Sequence, residues 1–516
     1  MTSPSMGSDR LETLISDLIV TLNPWITELS ARLAQSALET GDLHLLHRLC
    51  REQQRQAPDL VVQWIGGERA PDLLLYLDGI IDADRLTSSL VDSGKDATAA
   101  LADSGLATQR VSSWSEVQNG YLSGQVVVVP HGGGESWLFD LSRLPQRSVG
   151  EPRTERTIRG SQEAFAEVVD VQLSQIRHRL PTPQLVAEPV VVGVRIPTSC
   201  RVVYLAGLAS SQVVDTVRRR LANIQIDTAQ SATRVGGLIR DHSWALFPTV
   251  RYTERVDLAA MQIQQGKVAV LVNGDPTVLT VPATLADYYR TSEDYVSVWY
   301  DASYVRLIRL LTFLFGVYLP AIYIALTEVN PDLISPTLLD LIVGTHSGLP
   351  FTPFPEVITM ILVIEVLREA AARLPNMLGT TIGTMGAIVV GTAVVKAGFV
   401  SPQIIVLMTL TALSLFAVPS YELLASWRMM SWMMLILAFI LGIYGIVLGT
   451  LAMSVALVSL HSFGTPYLTP LSPWRPKDWS NYLVRLPWQA LKRRLTESKT
   501  DDLSWMMKTE PPQGAQ

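Results

Sequence analysis

The sequence predicts an α/β cytoplasmic N-terminal region of two subdomains followed by an all-α, multi-pass membrane domain. Hydrophobic residues make up 48% of the 516-residue chain, and they concentrate between Leu307 and Leu460. Before residue 302, short apolar runs closed by turn residues alternate with stretches of helical periodicity. After it, four stretches reach the roughly 20 apolar residues that a helix needs to cross a bilayer core about 30 Å thick.

In residues 1–150, Leu11 to Leu49 has helical spacing broken near Pro24 and Gly41. Leu73 to Leu77 reads as a strand closed by Asp78-Gly79, with Asp82 as N-cap of a helix through Leu90. Val126 to Val129 and Trp137 to Leu141 flank His131-Gly-Gly-Gly-Glu135 and read as a hairpin. That loop lacks the Gly-Lys-Ser/Thr ending of a phosphate-binding loop.

Residues 151–302 form the second subdomain. Val190 to Val194 and Val202 to Leu205 are expected strands, and Val213 to Leu221 a helix capped by Ser210 or Ser211. Val268 to Val272 and Thr277 to Val281 enclose Asn273-Gly274-Asp275-Pro276, whose Asn-Gly step supplies the positive φ angles of a tight turn.

The membrane domain occupies residues 303–471. Its expected spans are Leu307 to Thr327, Leu378 to Val395, Gln403 to Leu424 and Trp432 to Leu460, the last overlong and holding Gly442, Gly445 and Gly449. A re-entrant or fifth helix is expected near residues 356–371, where an apolar run meets Glu365, Arg368 and Glu369. Arg306 and Arg309 before the first span, and Arg475 to Arg494 in the basic tail of residues 472–516, place both ends on the cytoplasmic side. Four crossings satisfy this but leave Arg368, Arg373 and Arg428 outside; five reverse the problem.

Met1 to Val20 has no secretion-signal pattern, so the N-terminal region is expected to stay in the cytoplasm. Two distant cysteines, Cys50 and Cys200, suggest no disulfide framework, and a net charge of -6 gives no nucleic-acid footprint. No hydrolase elbow, Walker motif or zinc-protease motif occurs, so the sequence supports neither an enzyme nor a cofactor. His44, His47 and Cys50 carry metal-ligand atoms, but with no fourth ligand nearby the expected reading is an ordinary helix.

From Glu151-Pro-Arg-Thr-Glu155 onward the chain resembles the A subunit of the nutrient germinant receptors of endospore-forming bacteria, the GerA family. The resemblance rests on Arg159-Gly160, Ile176-Arg-His-Arg179, Tyr204-Leu-Ala-Gly207, Thr253-Glu-Arg255 with Asp257, Glu293-Asp-Tyr295, Pro353-Phe-Pro355, Arg368-Glu369 and Arg373-Leu-Pro375. Its most specific stretch runs from Ser459 to Leu468 and includes Phe463, Gly464, Pro466 and Tyr467. Val256 departs from the family's usual proline, and the first subdomain matches loosely.

The resemblance implies a three-protein receptor in the inner membrane of the spore. Its partners would be a transporter-like B subunit and a C subunit lipoprotein. The A subunit would self-associate into an ion-conducting channel that transduces germinant binding. A non-conducting scaffold and a secondary transporter are the alternatives, although a transporter calls for repeated halves and the sequence shows none.

Gly379, Gly383, Ala387 and Gly391 form a small-residue ridge suited to close helix packing, within or between subunits. Thr380 and Thr384 flank it as candidate pore-lining residues, against the alternative that each bonds its own backbone. Glu365, Arg368, Glu369 and Arg373 are the intramembrane charges, expected to pair at helical spacing or to face a functional cavity.

Overall fold

In a computed structural model, the described residues are 28–65, 71–91, 101, 106, 108–132, 134–142, 150–152, 155, 157, 159–346, 349–373, 396, 398–475, 479, 482 and 484–487. The break expected near Pro24 and the span expected over Leu378 to Val395 lie outside them. Helix α1 (28–40) ends at Gly41, whose φ of 75° suits a residue without Cβ. The Asp42 carboxylate then accepts the Leu45 N–H at 3.0 Å and starts α2 (Leu43–Gln56).

The first sheet contains β1 (Leu60–Ile65), β2 (Asp72–Leu77), β3 (Thr108–Val111), β4 (Gln125–Val129) and β5 (Ser136–Asp140), in the order β1-β2-β4-β5-β3. Asp82 accepts the Arg85 N–H at 3.2 Å and begins α3 (Ala83–Val91), while α4 (Trp114–Leu122) precedes β4. Alternate residues of a strand point to opposite faces, so Leu73, Leu75, Val127 and Val129 pack toward α1, α2 and α4. Leu74, Val126, Val128 and Phe139 pack with Leu86 of α3 on the other face.

The second unit repeats that strand order. It comprises α5 (Val169–Arg179), β6 (Leu185–Val192), β7 (Thr198–Leu205), α6 (Ser211–Ala222), α7 (Ala232–Ile239), β8 (Arg251–Thr253), α8 (Val256–Gln264), β9 (Val268–Val272) and β10 (Val278–Val281). Its sheet runs β6-β7-β9-β10-β8, and the ladders of both five-stranded sheets are antiparallel. The segment holding Asn273-Gly274 joins β9 and β10 as expected, but the connection is a five-residue loop, 273–277, in which Gly274 and not Asn273 takes a positive φ.

Strand β6 begins at Leu185, before the expected start at Val190. It runs through Pro189 because it lies at the sheet edge, where a missing N–H costs no ladder bond. It ends before Gly193, where an added Cβ would come within 2.5 Å of the Ile196 carbonyl oxygen. Ser210 is the N-cap residue of α6, though its side chain makes no capping bond.

The two units are joined by a buried ion pair: Arg177 donates from Nε and Nη2 to the two Asp59 oxygens, each at 2.7 Å. Ser174 adds a hydrogen bond to the Gly79 carbonyl at 2.8 Å.

Beyond the short α9 (Leu285–Tyr289) and α10 (Glu293–Val296) come the apolar helices. Helix α11 (Trp299–Ile324) continues through a π-turn, Ala325–Val329, and α12 (Pro336–His346) is short. Then follow α13 (Pro353–Arg373), α14 (Pro402–Phe416), α15 (Tyr421–Leu441) and α16 (Ile443–Ser459). Among the described residues, Trp299–Val329 and Tyr421–Leu441 are long and apolar enough to cross a membrane.

Two expected spans are corrected. Gln403 to Leu424 is not one helix, because Val418-Pro419 separates α14 from α15 and proline cannot continue the ladder. Trp432 to Leu460 is not one overlong span either: Gly442, at φ 63°, folds α16 back against α15. Gly449 and Gly445 face Met434 and Leu437 so closely that an added Cβ would come within 2.7 Å and 2.0 Å.

Among the described helices, α11 and α15 run away from the α/β units, and α13, α14 and α16 run toward them. Phe313 packs at a tilt on Trp427, ring centroids 4.0 Å apart, and Asn330 accepts the Ile443 N–H at 3.0 Å, so α11 and α15 run parallel. Phe354 lies 3.8 Å from Phe439 while Glu365 lies 3.0 Å from Arg428, so α13 returns. Gly316 faces Ser414 and Leu415, and Ile324 clusters with Ile404, so α14 returns as well.

The Arg177–Asp59 pair generates a stability test. Asp59→Ala strands a buried guanidinium and should lower the unfolding free energy of the detergent-solubilised chain by about 3 kcal/mol. The double variant Arg177→Met/Asp59→Leu removes both charges and should recover most of that loss in the same thermal melts.

Candidate functional site

The chain leaving α16 enters the α/β core. β11 (His461–Ser462) and β12 (Thr465–Pro466) form a tight hairpin whose turn residues, Phe463 and Gly464, have φ angles of 48° and 78°. Consecutive positive φ angles are the geometry of a tight two-residue turn, and Phe463 holds its half against its steric preference. What holds it is burial: the ring joins the core formed by β7, β9, α6 and α7.

Each exposed-backbone problem of this turn is solved by the second unit. The Phe463 N–H donates to Asp241 Oδ2 at 2.6 Å. Asp241 also receives Arg220 Nη2 at 2.5 Å, and the Arg220 guanidinium stands 4.6 Å from the Phe463 ring centroid. Ser462 Oγ donates to the Thr249 carbonyl at 2.7 Å and accepts the Ala283 N–H at 2.9 Å. Tyr467 offers its carbonyl to the Leu285 N–H at 2.9 Å, and its ring packs between Phe247 and Tyr288. Burial pushes the Tyr467 and Tyr288 hydroxyls well above the usual phenol range.

Two buried aspartates flank the turn. Asp287 completes a capping box with Thr284 and meets Lys267 Nζ at 2.5 Å and Arg290 at 3.5 Å. Burial alone would raise its carboxyl, but Lys267 and Arg290 win and hold it at about 2. Asp294 receives Arg306 Nε and Arg309 Nη1, each at 3.0 Å, and these arginines lower its carboxyl against the opposing effect of burial.

Arg485 from the tail donates to the carbonyls of Asp294, Ser297 and Tyr295 at the end of α10. Arg306 also reaches the Tyr482 carbonyl at 3.3 Å. Start of α11, end of α10 and tail thus converge on one charged knot.

Of the residues expected from sequence, the structure brings Phe463, Gly464, Pro466 and Tyr467 into this junction, while Ser459 ends α16 and bonds the Ala456 carbonyl. Glu365 pairs with Arg368 three residues on and, from across the bundle, with Arg428 at 3.0 Å. Glu369 is on the same helix, α13. The Arg373 side chain, the ridge Gly379, Gly383, Ala387 and Gly391, and Thr380 and Thr384 lie outside the described residues. His44 and His47 rest on the Trp64 indole, with centroids 5.5 and 4.9 Å away.

Glu356 was not singled out in the sequence, yet it is more deeply buried than Glu365. It accepts the Ser401 N–H at 2.7 Å and has His346 Nε2 at 3.7 Å, at the bundle end remote from the sheets. Asp241, Arg220 and Thr249 were missed as well, because partners more than 200 residues from the turn leave no periodic signal. The family stretches themselves were the available clue: Arg255 binds Asp257 at 2.7 Å and the Ser161 carbonyl at 2.9 Å, which ties Thr253-Glu-Arg255 to the segment before α5.

The GerA family, described as Bacillus/Clostridium GerA spore germination protein, matches residues 49–497. Spore germination protein KA of Bacillus subtilis is 31% identical over 86% of this chain and 83% of its own. Spore germination protein A1 of the same organism is 34% identical over 74% and 80% respectively. The N-terminal domain of the A subunit of the Bacillus megaterium germinant receptor GerK3 aligns with 23% identity and a TM-score of 0.36, over 47% of this chain and 95% of that one.

Ser462→Ala leaves a buried carbonyl and a buried amide unpaired at once, so it should cost about 2 kcal/mol in thermal unfolding of the full chain. The Asp287 network stabilises fully above about pH 4, the range of an unfolded aspartate, and loses that contribution as pH falls toward 2. Asp287→Asn should therefore flatten the acid limb of a stability–pH curve and lower stability at neutral pH.

Proposed function

Because the chain belongs to the GerA family of Bacillus/Clostridium spore germination proteins, we propose that it is the A subunit of a spore nutrient germinant receptor. In this reading it acts in the inner membrane of the spore, with a transporter-like B subunit and a C subunit lipoprotein as partners. It self-associates, and the assembled apolar helices conduct ions when the germinant signal arrives.

The observation that carries the reading is the hairpin 461–466, which seats the end of the last apolar helix in the core of the second α/β unit. A rearrangement of that unit has no soft linker in which to dissipate before it reaches α16. The charged knot of Asp294, Arg306, Arg309 and Arg485 does the same for the start of α11.

The topology we propose has an even number of crossings and both ends in the cytoplasm. Helix α13 finishes at the bundle end nearer the sheets and α14 starts at the remote end, so in this topology α11, α13, the shorter α14, α15, the shorter α16 and the expected Leu378 to Val395 span make six passes. Arg306, Arg309, Arg368 and Arg428 then all lie on the cytoplasmic side, which removes the conflict that four or five crossings left. Glu328, Asp332 and Glu356 lie at the other end.

Two measurements test this. Cysteines introduced at Val484 and at Asp332 should react oppositely with an impermeant thiol reagent applied outside intact cells: Asp332→Cys labelled, Val484→Cys protected. Planar-bilayer recording of the purified receptor should show discrete conductance steps that Ser462→Ala alters. An intact, correctly oriented complex without conductance would leave a scaffold, not a channel.

A further inference from the structure

The turn between α7 and β8 carries an indole that the protein does not cover. Ala245 N–H donates to the His242 carbonyl at 3.3 Å, closing a tight turn with Trp244 at its tip, 99% exposed. Leu238 and Leu246 beside it are exposed as well. A large aromatic left in water is anomalous for a soluble surface and ordinary at a membrane interface, where an apolar ring with one polar N–H suits the headgroup level.

The position of the turn is fixed from both sides. Leu246 offers its carbonyl to Ser426 Oγ at 2.7 Å, which pins the turn to the first turns of α15, one of the two helices able to cross a membrane. Phe247 is buried against Tyr467. Two residues beyond Ser426, Arg428 joins Glu365 and Arg368, all three partly exposed. Partly exposed charges on an apolar bundle mark where hydrocarbon gives way to the polar layer.

Past that level the helix surface turns to exposed Met433, Ile436 and Ile440. Trp299 and Tyr304, on the first turns of α11, are exposed at the same end of the bundle. Trp244 thus stands at the bundle end that also carries the exposed Trp299 and Tyr304.

We propose that the 240–247 turn is a membrane-surface anchor of the second α/β unit, with Trp244 in the headgroup layer of the cytoplasmic leaflet and the exposed His242 toward lipid phosphates, while Arg240 donates to the Ser243 carbonyl and stiffens the turn. The one acid of the turn, Asp241, is committed to Arg220 and to the Phe463 N–H. The anchor therefore connects directly to the junction: the residue after Arg240 holds the hairpin turn, and Phe247 packs on Tyr467. This proposal rests on the membrane reading above and assigns a specific lipid contact to the α/β unit.

The test uses the full chain in phosphatidylcholine nanodiscs. Trp244→Cys is labelled with a small environment-sensitive fluorophore, and the lipids carry, or lack, bromine near the headgroup end of the acyl chains. Cys50 and Cys200 stay in place: both are buried, and burial pushes their thiols up to about 12 and about 11, so the label goes to position 244. Emission from position 244 should fall about twofold in brominated lipid, as expected for a residue in the interface.

Ile440→Cys, on the lipid-facing band of α15, is the control. If Ile440→Cys is quenched and Trp244→Cys keeps its emission, the anchor is overturned while the membrane reading stands. If neither is quenched, the membrane reading itself fails. A blue-shifted but bromine-insensitive signal at position 244 means that a second copy or another protein covers the turn, and this also overturns the proposal.

Discussion

A chain that leaves an apolar helix and enters the interior of an α/β unit brings unsatisfied backbone groups with it. Ser462 is where this protein resolves the conflict. One hydroxyl, buried and between two strands' worth of loop, donates to the Thr249 carbonyl and accepts from the Ala283 N–H. It thereby replaces two solvent contacts that burial removes. The Phe463 ring can reach the sheet core only because this bond and the Asp241 contact hold the turn open on its strained side.

The arginines of the junction follow from the same constraint. Buried guanidinium groups need several acceptors, and carbonyls at the end of α10 supply them to Arg485, while Asp294 serves Arg306 and Arg309. Arg177 and Arg255 do comparable work between the two α/β units and around α8. Arg177 and Arg255 lie within stretches shared with the family, so those two stretches mark contacts between segments.

Local features of the fold were legible wherever one residue type dictates the geometry. Gly41, Asp82 and Asn273-Gly274 placed a helix break, a cap and a hairpin correctly, because φ preferences and short-range hydrogen bonds act over a few residues. Hydropathy was a poorer guide in the apolar half, since it records depth and not direction. A run such as Trp432 to Leu460 looks the same whether it continues or doubles back at Gly442. The repeated strand order of the two α/β units left no trace in the sequence, because topology fixes where strands pair and not which apolar residues fill them. The junction was half legible: the segment from Ser459 to Tyr467 stood out, but Asp241, Thr249 and Ala283 became its partners only through tertiary folding.

At the opposite end of the bundle, the Asn330 carboxamide accepts the Ile443 N–H just where Gly442 reverses the chain, and an added Cβ on Gly442 would fall 1.9 Å from that oxygen. Mechanically this is a pivot. A rod fixed at its remote tip and gripped at its near end can only swing, and the displacement grows with distance from the fixed point. Small strains in the α/β units would then appear as the largest lateral movement where α11, α15 and α16 leave the sheets, and almost none at the far corner.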